Sequence, residues 1–171
     1  MTFIDLAFNA AHSTDRFGCG KPELDLWLRE SALHAERNRT CRTFGWADDD
    51  GEVVAYYSLA AHLLRRDGIS RKLGRGSPNE IPAVMLARLA LDRTLHGQGL
   101  GGVLLADALE RAVLAGSSVG ARFIVVDAVD DGAATFYIKH GFVQVPDVAH
   151  RLVQKMSSVA ASLAEPTDGR P

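Results

Sequence analysis

Cysteine is nearly missing. Cys19 and Cys41 are the only two in 171 residues, too few for a disulfide framework. Neither they nor the six scattered histidines show metal-ligand spacing, so the sequence predicts no metal. No charge of either sign dominates: 19 Lys+Arg against 21 Asp+Glu leave a net −2, which argues neither for nor against a nucleic-acid partner. Apolar runs stay well short of the roughly 20 residues that cross a bilayer. The opening MTFIDLAFNAAHSTDRF has no basic start followed by an apolar region. These absences lead us to expect a cytoplasmic protein with no membrane attachment. Internal repeats and linker-like stretches are also lacking. A chain with 47% hydrophobic and 23% charged residues then reads as one globular domain, residues 1–160, with a frayed tail over 161–171.

What is present alternates between strand and helix patterns. Residues 2–8 alternate weakly, as a first strand. In Lys21–Arg39, Pro22 suits a first turn, and Leu24, Trp27, Leu28, Ala32 and Ala35 recur at helical spacing, which predicts one helix. CRTFGWADDDGEVVAYYSLAAHLL reads as two strands joined by an Asp-Asp-Asp-Gly hairpin. Residues 65–80 are basic and without period, hence a loop. Ile81–Asp92 is too continuously apolar to have a wet face and is expected at the centre of the sheet. A helix follows, ending near Gly116, then a buried strand ARFIVVDAV, a short helix stopped by Gly141, and final strands in FVQVP and HRLVQKM. The order is that of an α/β domain built on one sheet.

The densest signal is HGQGLGG, His96 to Gly102, between the central strand and the longest helix. Four glycines in seven positions suit a loop that must come close to a phosphate, since a helix N-terminus with free amides is an anion site. The letters also satisfy the dinucleotide fingerprint G-x-G-x-x-G. Against that reading, Asp127 falls thirty residues after Gly97, where the ribose-binding acid is expected after about 20. Upstream lie a helix and a hairpin rather than another βαβ half. No Gly-Lys-Ser/Thr follows, which excludes an ATP-type P-loop. A tight structural turn accounts for one or two of the glycines. Coenzyme A also carries a pyrophosphate and is a third candidate, which the surrounding sequence favours.

Here the sequence resembles a known family. LARLALDRTLHGQGLGGVLLADAL followed by VVDAVDDGAATFYIKHGF is similar to the acyl-CoA-binding core of the GNAT acetyltransferases, with their loop Q/R-x-x-G-x-G/A and a later F/Y-Y-x-x-x-G-F. His96 stands where Gln or Arg is usual. RFGCGKPELDLWLRESALHAERNRTCRTF further resembles the opening of the GNAT toxins of toxin–antitoxin modules, which acetylate aminoacyl-tRNA. The resemblance covers roughly Phe17 to Phe142 and implies a GNAT fold: a single mixed central sheet with helices on both faces. It also implies that Leu89, Ala90 and Leu91 pair with the pantetheine of acetyl-CoA. The pyrophosphate would lie on Gly97, Gln98, Gly99, Leu100, Gly101 and Gly102. Tyr137, at the tyrosine of FYIKHGF, would act as general acid: a phenol of pKa ~10 stays protonated where a thiol of ~8.5 begins to ionise.

Two basic groups supply candidate tRNA contacts. Arg65, Arg66, Arg71, Lys72 and Arg75 lie in the loop between the long strand and the central one, and Arg37, Arg39 and Arg42 lie at and just beyond the end of the first helix. Such contacts position a nucleic acid through its phosphates without reading sequence. An α-amine of pKa ~8 is partly neutral at pH 7, so an aminoacyl-tRNA acceptor needs no dedicated base, whereas a lysine at ~10.4 would. Asp92 suits a cap after the strand. The resemblance then implies a ribbon-helix-helix antitoxin, operator DNA bound through the toxin–antitoxin complex, and a homodimeric toxin. Two other readings stay open: a GNAT enzyme acting on a protein or small-molecule amine, and a non-catalytic acyl-CoA-binding module.

Overall fold

The computed structural model describes residues 2–165. Strand β1 (Ile4–Ala7) pairs antiparallel with β2 (Arg42–Ala47), and β2 pairs antiparallel with β3 (Val53–Arg65). The β2–β3 hairpin closes where the aspartate run predicts it, with the Gly51 N–H donating to the Asp48 carbonyl at 3.0 Å. The predicted single helix over 21–39 is in fact two, α1 (Pro22–Glu30) and α2 (Ala32–Arg37). The break falls at Ser31, whose φ of −118° leaves the helical range while its N–H still bonds the Trp27 carbonyl. Pro22 begins α1, where a missing N–H costs nothing.

The region read as loop also contains a helical turn, α3 (Arg71–Gly74), because the Ser70 side chain accepts from the Leu73 amide and caps it. Strand β4 (Glu80–Leu91) leads through a short turn at Arg93–Leu95 into α4 (Leu100–Val119). That helix runs through Gly116 and ends before Gly120, which has φ +76°. β5 (Phe123–Asp127), α5 (Asp131–Lys139), β6 (Val143–Gln144) and β7 (Arg151–Lys155) follow. The last element, α6 (Met156–Ala164), was not expected and passes through the predicted domain boundary at residue 160; residues 166–171 of the predicted tail lie outside the described residues.

The strands run in the order β1-β2-β3-β4-β5-β7-β6, with the apolar β4 in the middle, as its lack of a wet face requires. The chain divides into two compact units. One comprises the residues up to Ala60 with Leu86–Ala108 and has a core of Leu6, Phe17, Leu28, Val53, Tyr56 and Ala90. The other comprises Ala61–Met85 with the residues from Leu109 onward, and its core gathers Leu64, Ile81, Phe123, Val125 and Val153. Of these, Ile81, Phe123, Val125 and Val153 are wholly buried, each contributing about 1.5–3 kcal/mol.

Candidate functional site

In the first unit, the end of β4 is held by Asp92. This carboxylate accepts from the Gly18 amide at 3.0 Å, from the Thr94 amide at 3.0 Å and from the Thr94 hydroxyl at 2.7 Å. Burial pushes its pKa up, but these hydrogen bonds outweigh it and hold the carboxyl below the usual range. Asp92 is thus the cap that its place after the strand suggests. It also ties the 17–20 segment to the turn that launches the glycine loop. A His96 ring nitrogen, Nε2, sits 2.7 Å from the Leu91 carbonyl oxygen, and Gln98 Nε2 donates to the Thr94 carbonyl at 3.3 Å. His96 thus fastens the loop to the end of β4 and Gln98 to the turn that follows it, while residues 96–99 stay exposed.

Gly97 and Gly99 have φ of +77° and +75°, and a Cβ added at either would meet nothing within 4 Å. Conformation, not crowding, therefore demands glycine at both. Gly101 and Gly102 lie in the first turn of α4, among the amides that have no partner within a helix. No acidic residue occurs between Asp92 and Asp107. An exposed glycine loop that runs into a helix N-terminus, with no acidic residue of its own, suits a pyrophosphate. The residues present fit the donor that the sequence suggested.

The 17–29 segment is built by its own side chains. Asp25 accepts from the Cys19 amide at 2.8 Å, and Arg29 Nη1 donates to the Phe17 carbonyl at 3.0 Å. Trp27 stacks on Tyr56 with ring centroids 5.9 Å apart, and Phe17 meets the same ring edge-on at 5.5 Å. Tyr56 in turn donates to the Leu24 carbonyl at 2.7 Å. The Cys-Gly…Leu-Asp…Trp-Leu pattern is therefore a self-closing motif that seats α1 on β3. Sequence reasoning passed over one member of this group. Arg88, on β4, lies over the Trp27 ring, its Cζ 3.9 Å from the centroid.

In the second unit, Tyr137 sits on α5, which is capped by Asp130 accepting from the Ala133 amide at 2.8 Å. Phe136 and Phe142 both pack edge-on against the phenol ring, at 5.3 and 5.6 Å. Only 5% of Tyr137 is exposed, and this burial raises its pKa above the ordinary phenol range. Gly141 ends the helix as expected: φ is +93°, and a Cβ there would lie 2.8 Å from Gln154 Nε2.

The same unit contains a cavity of about 1100 Å³ whose lining includes Arg65, Arg66, Arg71 and Arg75. The predicted loop arginines are thus brought together, whereas Lys72 is not among the lining residues. Arg65 is already paired, donating to both Asp67 oxygens at 3.1 and 2.9 Å, and Arg66 Nη1 donates to the Ser77 carbonyl at 2.8 Å. In the first unit Arg42 is likewise bound to Glu36 at 2.7 Å. Arg39 has a left-handed φ of +58° at the turn after α2. Among the described residues no cluster of His, Cys, Asp and Glu suits a metal ion.

Residues 41–144 match the family described as Acetyltransferase (GNAT) domain. A tRNA-acetylating toxin of Mycobacterium tuberculosis is 35% identical over 161 residues, covering 91% of this chain and 93% of that protein. Among solved structures, AtaT complexed with acetyl-methionyl-tRNAfMet gives a TM-score of 0.85 at 30% identity, covering 94% of this chain and 98% of that one. An AtaT mutant toxin bound to the C-terminus of the antitoxin AtaR and acetyl-CoA gives 0.83 at 27% identity, covering 96% and 100%. The fastened glycine loop and a domain match over more than half the chain lead to one assignment: the protein belongs to the GNAT acetyltransferase family.

Proposed function

We propose that this protein is the toxin of a type II toxin–antitoxin pair, and that it moves the acetyl group of acetyl-CoA onto the α-amine of aminoacyl-tRNA. That amine is the nucleophile of peptide bond formation, so its acylation stops translation. The observation that carries the reading is the 35% identity to a tRNA-acetylating toxin along 91% of the chain. The similarity extends well outside the donor-binding core and takes in the 17–29 motif.

Acetyl-CoA supplies an activated thioester. The rest is work for the chain. In this reading the backbone of Leu89, Ala90 and Leu91 pairs with the pantetheine as an added strand would. A backbone amide of that strand donates to the thioester oxygen as negative charge grows there. Gly97, Gln98, Gly99, Leu100, Gly101 and Gly102 hold the pyrophosphate through amides rather than side chains. The neutral α-amine attacks the carbonyl carbon, a new C–N bond forms and the C–S bond breaks. Tyr137 gives its phenolic proton to the departing sulfur, and the acylated nitrogen releases one to water. A buried, protonated phenol suits that step.

Arg65, Arg66, Arg71, Lys72 and Arg75, with Arg37, Arg39 and Arg42, are assigned to phosphates of the tRNA. Arg42 and Arg65 must exchange or share their carboxylate partners to take part. The reading includes a ribbon-helix-helix antitoxin, operator DNA reached through the toxin–antitoxin complex, and a homodimeric toxin. The antitoxin-bound AtaT structure supports an antitoxin partner. A cytoplasmic place follows from the substrate, and no described helix is long and apolar enough to cross a membrane.

The test is transfer of labelled acetyl from acetyl-CoA to charged tRNA, uncharged tRNA, protein and polyamine, offered separately. Label on charged tRNA alone is expected, with the acetylated aminoacyl group identified by mass spectrometry. Label on protein or polyamine alone would move the protein to another branch of the family.

A further inference from the structure

Arg88 is a guanidinium with its donors unspent. One face is occupied by Trp27, at 3.9 Å, yet among the described residues it has no hydrogen bond and no ion pair. It is half-buried, and this desolvation lowers its pKa against the opposing pull of Tyr56 and Cys41. Removing an arginine from water without a carboxylate is costly. The cation–π contact returns only part of that cost. The fold nevertheless fixes it firmly. Trp27 lies nearly parallel to Tyr56, at 15°, and Tyr56 is locked by its bond to the Leu24 carbonyl. A planar fork, braced on one face with its N–H edge free, is the form in which arginine recognises an oxyanion.

Which anion it meets follows from position and chemistry. Arg88 directly precedes Leu89–Leu91 and shares a strand face with Ala90, which belongs to the core formed with Phe17, Leu28 and Tyr56. The donor pyrophosphate is assigned to Gly97–Gly102, farther along the chain, and the coenzyme's other anion, its 3′-phosphate, lies on the adenosine beyond that pyrophosphate, away from the thioester. The acceptor's amino acid has no free carboxylate, because that group is esterified to the ribose. The anions nearest its amine are the phosphodiesters of the terminal nucleotides. We propose that Arg88, braced by Trp27, binds a backbone phosphate in the single-stranded 3′ end of aminoacyl-tRNA and so places the α-amine for attack. This rests on the acceptor named above.

The experiment compares the parent protein with Arg88→Gln and Arg88→Lys. It measures KM and kcat for aminoacyl-tRNA at several salt concentrations, acetyl-CoA binding by calorimetry, and thermal melting. Arg88→Gln is expected to raise KM for aminoacyl-tRNA about tenfold or more, as loss of a charge-assisted bond implies. It should also flatten the slope of log KM against log salt by about one, with acetyl-CoA affinity and melting unchanged. Arg88→Lys keeps the charge but loses the fork, so the slope should persist while KM rises less. Unchanged KM and slope in the Gln variant overturn the assignment. So does weakened acetyl-CoA binding, which would put the anion on the donor. If the Gln variant does not fold, a parental KM in the Lys variant overturns it. Should the parent leave charged tRNA unlabelled, the acceptor reading itself fails and this assignment falls with it. If the parent labels tRNA and the variants match it, only Arg88 is dismissed.

Discussion

Tyr137 holds its proton more tightly than the thiol it is assigned to protonate. Its burial, between Phe136 and Phe142, raises the phenol above the ordinary range, so it remains an acid at every pH where the protein would be assayed. The acceptor amine, with a pKa near 8, is then the group that sets the pH profile. The rate should climb as the amine loses its proton and stay level to about pH 10, with no falling limb from the phenol. Tyr137→Phe removes one hydroxyl from an aromatic cluster and should leave the fold intact. A lost general acid lowers kcat by about 10²–10⁴-fold. A descending limb below pH 9 in the parent, or full activity in the Phe variant, would dismiss Tyr137 as the acid.

At the scale of elements, the glycine loop and the 17–29 motif make different demands. The loop needs glycine for backbone conformation. Alanine at Gly97 or Gly99 meets no neighbour but must adopt a left-handed φ, at a cost of about 1–3 kcal/mol. Because the loop is exposed, that strain is relieved by moving the loop rather than by unfolding the protein. Gly97→Ala and Gly99→Ala should therefore weaken coenzyme A binding in a calorimetric titration while the melting temperature changes little. The 17–29 motif is the opposite case. Asp25→Ala deprives the Cys19 amide of its acceptor and is expected to cost about 1–2 kcal/mol of stability, read by denaturant unfolding. Donor affinity should be preserved; a large loss there would show that the motif does more than seat α1.

The glycine loop was legible in the sequence because its backbone needs are local. The 17–29 motif was legible only by resemblance, since its anchor Tyr56 lies far along the chain. Asp92 and Gly141 also follow from position alone. Others did not. The break at Ser31 leaves no glycine or proline behind, only a shift of φ within a continuous apolar pattern. The α3 turn was hidden by its basic composition, though Ser70 was available as a cap. Helix α6 is too short and too rich in serine and alanine to stand out, and it depends on burial of Met156 and Val159. Arg88 was missed for a different reason. Its neighbours in sequence are apolar strand residues, and only the fold sets it against Trp27.

For the whole molecule, acid stability turns on a group that took no part in the functional reading. His62, on β3, has its Nε2 buried with no hydrogen-bond partner among the described residues. Burial first, then the positive charge of Arg151, lowers its pKa below the usual 6.5, with Asp127 opposing. Arg151 and Asp127 are themselves joined by two bonds of 2.8 Å, so neither charge is free to accommodate a second cation. In the unfolded chain the histidine titrates near 6.5; in the folded one it resists protonation. The unfolded state thus binds more protons as the pH falls below 6.5, and folding stability declines there. Asp92 behaves separately. Its lowered pKa preserves its contribution above about pH 4, and that contribution is lost only in stronger acid. A pH step from 7 to 5.5 therefore isolates the histidine from Asp92. The melting temperature should drop across that step in the parent and drop less in His62→Gln, which keeps a polar side chain without a titrating ring. An equal drop in both would mean that the unpartnered nitrogen finds a proton and a partner in the folded state.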